Sequence, residues 1–159
     1  MVRETTIADS PLYTVTLRTT LGTLADLSRV VRGFERAYVR DSEGPLHDQR
    51  PRIDEESGLV LPGLSAIPLH AEPWWTRPLE DWLARQIHRC TGLRDTRPER
   101  MVWMLRGVEV AHGPDGETLL RGVVPLARLD EDLLLEASVR YRENFRRVAR
   151  SLTAGGTGP

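Results

Sequence analysis

The chain has 159 residues, 23 acids and 22 basic residues, every one of which is arginine, for a formal net charge of −1. The missing lysines exclude Schiff-base catalysis, a pyridoxal-phosphate anchor, a lysine adenylate and the phosphate-binding loop G-x-x-x-x-G-K-[ST]. Near-zero charge gives no global field toward nucleic acid or an anionic membrane, a single cysteine (Cys90) excludes an intrachain disulfide, and no run of about 18 apolar residues could span a bilayer. The first ten residues are polar and read as a frayed N-terminus without a signal-type apolar stretch, so a cytoplasmic protein is expected.

Leu12–Leu17 alternates and is β-branched, which predicts a short strand. Thr23 then caps a helix with Leu24, Leu27, Val31 and Phe34 on one face, Asp26 in its first turn and Gly33 at its end. Residues 37–40 read as a second strand running into the turn chemistry of Asp41–Pro45. From Leu46 to Pro73 four prolines and the acids Asp54, Glu55 and Glu56 argue against one regular element, and an irregular stretch of this length is often functional. Its apolar residues 59–69 suggest a buried segment with short extended pieces.

Thr76 and Pro78 start a helix whose stripe of Leu79, Trp82, Leu83, Ile87 and Cys90 ends near Gly92, with Asp81 and Arg85 spaced to pair. Met101–Arg106 and Val108–Ala111 are strand candidates, joined through the turn His112–Gly116 to Leu119–Leu120. Gly122–Ala127 is another extended piece, with Pro125 favouring an edge or strand end. Asp130 caps a last helix with acids first (Glu131, Asp132), arginines last (Arg146, Arg147, Arg150), and a buried stripe of Leu134, Ala137, Tyr141, Val148 and Leu152. Residues 153–159 read as a disordered tail. The whole predicts one α+β domain over 11–152, a mainly antiparallel sheet with about three helices packed on it.

Four motifs in order, Val39–Pro45 (VRDSEGP), Leu61–Ala66 (LPGLSA), Trp74-Trp75-x-Arg77-Pro78 with Trp82–Arg85, and Gly113–Glu117 (GPDGE), resemble those of a family of small actinobacterial proteins of unknown function over roughly Leu21 to Tyr141. The resemblance implies an actinobacterial cytoplasmic protein, in keeping with the lysine-free composition, and transfers no catalytic residues.

Arg40, Ser65 and Glu117 lie in an order and beside strands in a way that resembles the Arg, Ser, Glu layout of NAD-dependent ADP-ribosyltransferases. There an arginine fork would hold a phosphate or ribose, a serine would brace the strands and a carboxylate would stabilise an oxocarbenium-like sugar. The competing reading places Glu117 as a solvent-facing hairpin residue. His47, Asp48, His70, Glu72, His88, Cys90 and His112 are metal-ligand types without a closed spacing, so no metal is expected. Cys90 on an apolar stripe lacks the setting that activates a thiol, and Gly63-Leu64-Ser65 lacks the second glycine of a nucleophile elbow.

Trp74, Trp75 and Trp82 beside Arg77 and Arg85 are residues from which stacking and cation–π pockets are built. Trp82 on the stripe reads as core, and one of Trp74 and Trp75 as free for a ligand or partner. Arg142, Arg146 and Arg150 share a helix face, which a solvated, dipole-matched helix end explains without nucleic acid. Arg40 and Arg77 have no obvious acid partner nearby and are the first candidates for a bound anion, with Tyr38, Trp74 and Trp75 as stacking surfaces. The sequence therefore favours a non-catalytic accessory or regulatory protein, without cofactor and compatible with a homo-oligomer, binding a small molecule or protein through 41–78. The alternative is an ADP-ribosyltransferase-like enzyme using NAD.

Overall fold

The structure is a computed structural model that describes residues 19–92 and 100–146; the expected strand at 12–17 and the two termini lie outside them. Strand β1 (Thr20–Leu21) leads into helix α1 (Leu24–Arg32), which starts where the Thr23 hydroxyl accepts the Asp26 amide at 3.0 Å and stops at Gly33. Strand β2 (Tyr38–Ser42) takes in two residues expected to turn; the turn follows at Gly44, whose φ of +112° suits glycine. A 3₁₀ turn (His47–Gln49) and a single bridge between Ile53 and Val60 precede strand β3 (Leu64–Pro68). In that bridged loop the acid run forms the tip, where Asp54 accepts both the amide and the hydroxyl of Ser57 and Gly58 turns the chain at φ +77°. Helix α2 (Leu79–Thr91), strands β4 (Met101–His112) and β5 (Thr118–Leu129), and helix α3 (Glu131–Tyr141) with a π turn (Arg142–Arg146) complete the order.

Strands 4 and 5 were expected as four short pieces and are instead two continuous 12-residue strands, each roughly 40 Å of chain. That length lets one hairpin close a ring. Met101–Leu105 pairs antiparallel with β2, Thr118–Leu120 pairs antiparallel with β3, and β2 pairs with β3, giving the closed circuit β5-β3-β2-β4-β5 with β1 added parallel to β5. The curvature comes from three register shifts in the hairpin, close to Gly107 and to Gly122 with φ +61°. Pro125, expected at an edge or strand end, sits inside β5 opposite Leu105, at one of those irregularities, where a missing amide donor is tolerated.

Alternation along the ring strands separates two cores. Tyr38, Leu64, Ala66, Trp103, Leu105 and Leu120 point inward and fill the ring. Val39, Val102, Met104, Ala127 and Leu129 point outward, under Leu24, Leu27 and Val31 of α1, Trp82, Leu83 and Ile87 of α2, and Leu133 and Ala137 of α3. Each of these larger side chains contributes about 1.5–3 kcal/mol through burial. The result is a single α+β domain with three helices on a mostly antiparallel sheet. Three local expectations change: Leu59 and Val60 are exposed at 69% and 63%, Leu133 rather than Leu134 is fully buried, and Asp81 pairs with Arg77 and Arg140 instead of Arg85.

Candidate functional site

Arg40, Ser42 and Tyr38 alternate onto the inner face of β2, so a charged side chain is carried into the ring beside Trp103. Asp48, delivered by the 3₁₀ turn, meets it: Arg40 Nε donates to Oδ2 at 2.7 Å and a terminal nitrogen to Oδ1 at 3.3 Å, with the two side chains 7% and 1% exposed. The Ser42 hydroxyl also donates to Asp48 and accepts from the Trp103 indole at 3.0 Å and the Gly44 amide at 3.0 Å. Arg40 further donates to the Ser65 hydroxyl at 2.9 Å and carbonyl at 2.8 Å. This network pins residues 42–48 across the ring.

Arg40, Ser65 and Glu117 all line one cleft of about 450 Å³, together with Asp41, Ile67, Arg89 and Cys90. Their groups are nonetheless occupied. Arg40 has its acid partner in Asp48, eight residues on, and the Glu117 carboxylate accepts the Asp115 amide at 3.0 Å while filling the space over Gly113. Glu117 thus closes the Pro114-Asp115-Gly116 turn.

On the other side of the ring, residues 45–64 fold against β5 to enclose a pocket of about 250 Å³. Arg50, Arg52 and Arg121 border it, with Pro51, Leu61 and Pro62 as apolar wall. Gly63 makes the approach possible, since a Cβ there would stand 2.7 Å from the Leu120 carbonyl. The expected binding stretch 41–78 supplies most of its lining, but Arg50, Arg52 and Arg121 are not among the residues the sequence singles out. The available signal was Arg50-Pro51-Arg52, two arginines on one face of an extended segment, but Arg121 joins them only through the fold.

A third and larger cleft, about 710 Å³, lies at the end of the ring between Phe34–Tyr38 and Arg106–Glu109. The Tyr38 hydroxyl donates a short hydrogen bond to Glu109, which also receives Arg36 at 3.3 Å. Burial, then the hydrogen bond and charge of Glu109, push the Tyr38 hydroxyl up to about 12 against the opposing pull of Arg36. Tyr38 is 1% exposed, so its ring offers no open face for stacking.

The tryptophans do assemble. Trp75 and Trp82 pack edge to face at 5.1 Å, Trp74 joins both at about 6 Å, and Phe145 and Tyr141 continue the cluster with centroids 5.0 Å apart. Trp82 is core at 6% exposure, Trp75 is half-buried, and Trp74 is 65% exposed. Arg77 lies over Phe145 at 4.6 Å and bonds Asp81, so it too has an acid partner. Asp81 also accepts Arg140 at 2.6 Å and Asn144 at 2.9 Å. Burial raises its pKa, and the hydrogen bonds and charges of Arg140 and Arg77 outweigh burial, leaving it below the usual carboxylate range. Arg85 lies over the Trp82 ring.

Among the described residues no three His, Cys, Asp or Glu side chains gather as metal ligands. His70 uses both ring nitrogens, on the Ala37 amide and the Phe34 carbonyl, and His88 stacks on Tyr141 at 3.9 Å. Arg147 and Arg150 lie outside the described residues. None of the described helices is long and apolar enough to cross a membrane.

Fold and site define a small α+β protein in which a closed four-stranded ring, helix-covered on one side, carries an arginine-bordered pocket on the other. The chain belongs to the family of unknown function DUF6098, which it matches over residues 15–151. No curated protein and no solved structure matches it significantly.

Proposed function

We propose that this is an accessory or regulatory protein that binds a small ligand or a partner protein through residues 41–78. The observation that carries this reading is the 250 Å³ pocket, most of whose lining comes from that stretch although the stretch holds little regular structure. The chemistry-bearing groups elsewhere are engaged with one another: Arg40 with Asp48, Tyr38 with Glu109, Glu117 with its own turn. Trp74, exposed on the same stretch, is a surface for a partner protein. A cytoplasmic location in an actinobacterium fits the lysine-free, near-neutral composition. Native mass spectrometry of freshly purified protein tests the reading: a retained small molecule or a defined complex is expected, and a bare monomer that also captures no partner overturns it.

A second reading, an NAD-dependent ADP-ribosyltransferase-like enzyme, is favoured by the Arg40–Ser65 hydrogen bond and by the shared cleft with Glu117. It ranks below the first because Asp48 already neutralises Arg40 and the Glu117 carboxylate serves a turn. Titrating NAD while following tryptophan fluorescence, then measuring nicotinamide release, decides it. No binding sinks the enzyme; release that survives Glu117→Gln removes the role assigned to that carboxylate.

A further inference from the structure

The pocket between residues 45–64 and β5 holds more positive charge than its own residues neutralise. Asp48 is the one carboxylate among the lining residues, and its oxygens already serve Arg40 and the Ser42 hydroxyl. Arg52 approaches Asp48 only to 3.7 Å. Arg121 spends its Nε on the Pro62 carbonyl at 2.9 Å, a bond that leaves its charge uncompensated. Arg50 is exposed and has no ionic partner among the described residues. Once Arg40 and Asp48 cancel, Arg50, Arg52 and Arg121 remain, gathered on one concavity of a chain whose formal net charge is −1. Guanidinium groups held around a concavity raise the local potential and favour an anion there.

The number and type of donors narrow the anion. Guanidinium forks pair with oxygen anions in a plane, and three forks from separate backbone positions call for more acceptors than the two oxygens of a carboxylate. A phosphate monoester offers three terminal oxygens and a charge of about −1.5 to −2. The volume of about 250 Å³ falls below the roughly 300–1,000 Å³ of sites for drug-sized ligands, which suits a compact phosphorylated molecule and not a dinucleotide. We propose that this pocket binds a small phosphate monoester, its phosphoryl group held by Arg50, Arg52 and Arg121 and its carbon body against Pro51, Leu61 and Pro62. The proposal rests on the ligand-binding reading of residues 41–78.

Phenyl phosphate, benzoate and sulfate, titrated into the full chain at constant ionic strength by calorimetry and amide NMR, test it. Phenyl phosphate is expected to saturate, with shifts centred on Gly63, Leu64 and Gly122, and to bind more tightly than benzoate or sulfate. Arg50→Gln and Arg52→Gln are each expected to weaken it about tenfold. Arg50→Gln is the decisive variant, because that side chain has no ionic partner among the described residues and its loss is expected to leave the thermal midpoint unchanged. Absence of saturable binding, affinity unchanged in both variants, or equal affinity for sulfate overturns the proposal. Benzoate bound as tightly, with the same arginine dependence, overturns the phosphate assignment while ligand binding by the segment stands. If native mass spectrometry also finds neither ligand nor partner, both fall together.

Discussion

At the scale of single residues, the Arg40–Asp48 ion pair is set apart by its burial. Asp48 and Arg40 are both withdrawn from water, at 1% and 7% side-chain exposure. Removing one partner leaves the other charged and undersolvated, and such losses cost about 3–5 kcal/mol. Asp48→Ala is therefore expected to lower unfolding stability by about that amount in urea titration, and adding Arg40→Met is expected to recover part of it, since the orphaned charge goes too. Full additivity of the two changes would contradict the assignment. Tyr38 gives a spectroscopic counterpart. Its folded pKa of about 12 stands above the ordinary value of about 10, so its contribution to stability is fully present below pH 10 and is lost as pH rises from about 10 to 12. The Tyr38 phenolate absorbance is expected to appear late in an alkaline titration, toward pH 12, and Tyr38→Phe is expected to remove that late step.

At the scale of elements, legibility follows the range of the signal. Helix α1 is readable because Thr23, Asp26 and the Leu24, Leu27, Val31 stripe all act within two turns, and α2 because Pro78 and Gly92 bracket it. The ring is not, because Arg40 opposite Trp103 and Leu64 opposite Leu120 join residues more than fifty positions apart, with no local mark. The two long strands read as four pieces, broken at Gly107 and ahead of Gly122; in the fold these glycines, with Pro125, sit where the strands bend instead of ending. Gly63 carries no such local mark and brings one backbone against another. Gly63→Ala would place a carbon 2.7 Å from Leu120 O and 2.9 Å from Leu120 N, and neither backbone atom can swing away. A loss of about 1–3 kcal/mol is expected. Gly22→Ala, where nothing lies within 4 Å, is expected to stay within about 0.5 kcal/mol, and equal thermal midpoints for the two variants would refute the close approach.

At the scale of the molecule, the candidate pocket and the helix layer lie on opposite sides of the ring, and each is fastened by one aspartate. Asp48 fastens the pocket wall. Asp81 fastens the helices, taking Arg77 from its own helix start and Arg140 and Asn144 from α3 and the π turn, whose wider spacing carries Asn144 and Phe145 round to the α2 side. Neither role was legible: Asp81 has Arg85 four residues on as well as Arg77 four residues back, and only the approach of α3 decides between them. Because its folded pKa is depressed below the usual value near 3.9, Asp81 contributes stability that is complete above that value and is lost as pH falls through the folded pKa. Wild type is therefore expected to hold constant this part of its stability from pH 5 to 8 and to lose it below about pH 4. Asp81→Asn is expected to be the less stable protein at neutral pH, with the gap closing in acid; a gap independent of pH would show that the carboxylate charge does not join the helices. The neutral-pH loss is expected to be smaller than for Asp48→Ala, because Arg77 and Arg140 are 37% and 34% exposed and water can take over their donors, whereas Arg40 inside the ring has no such recourse.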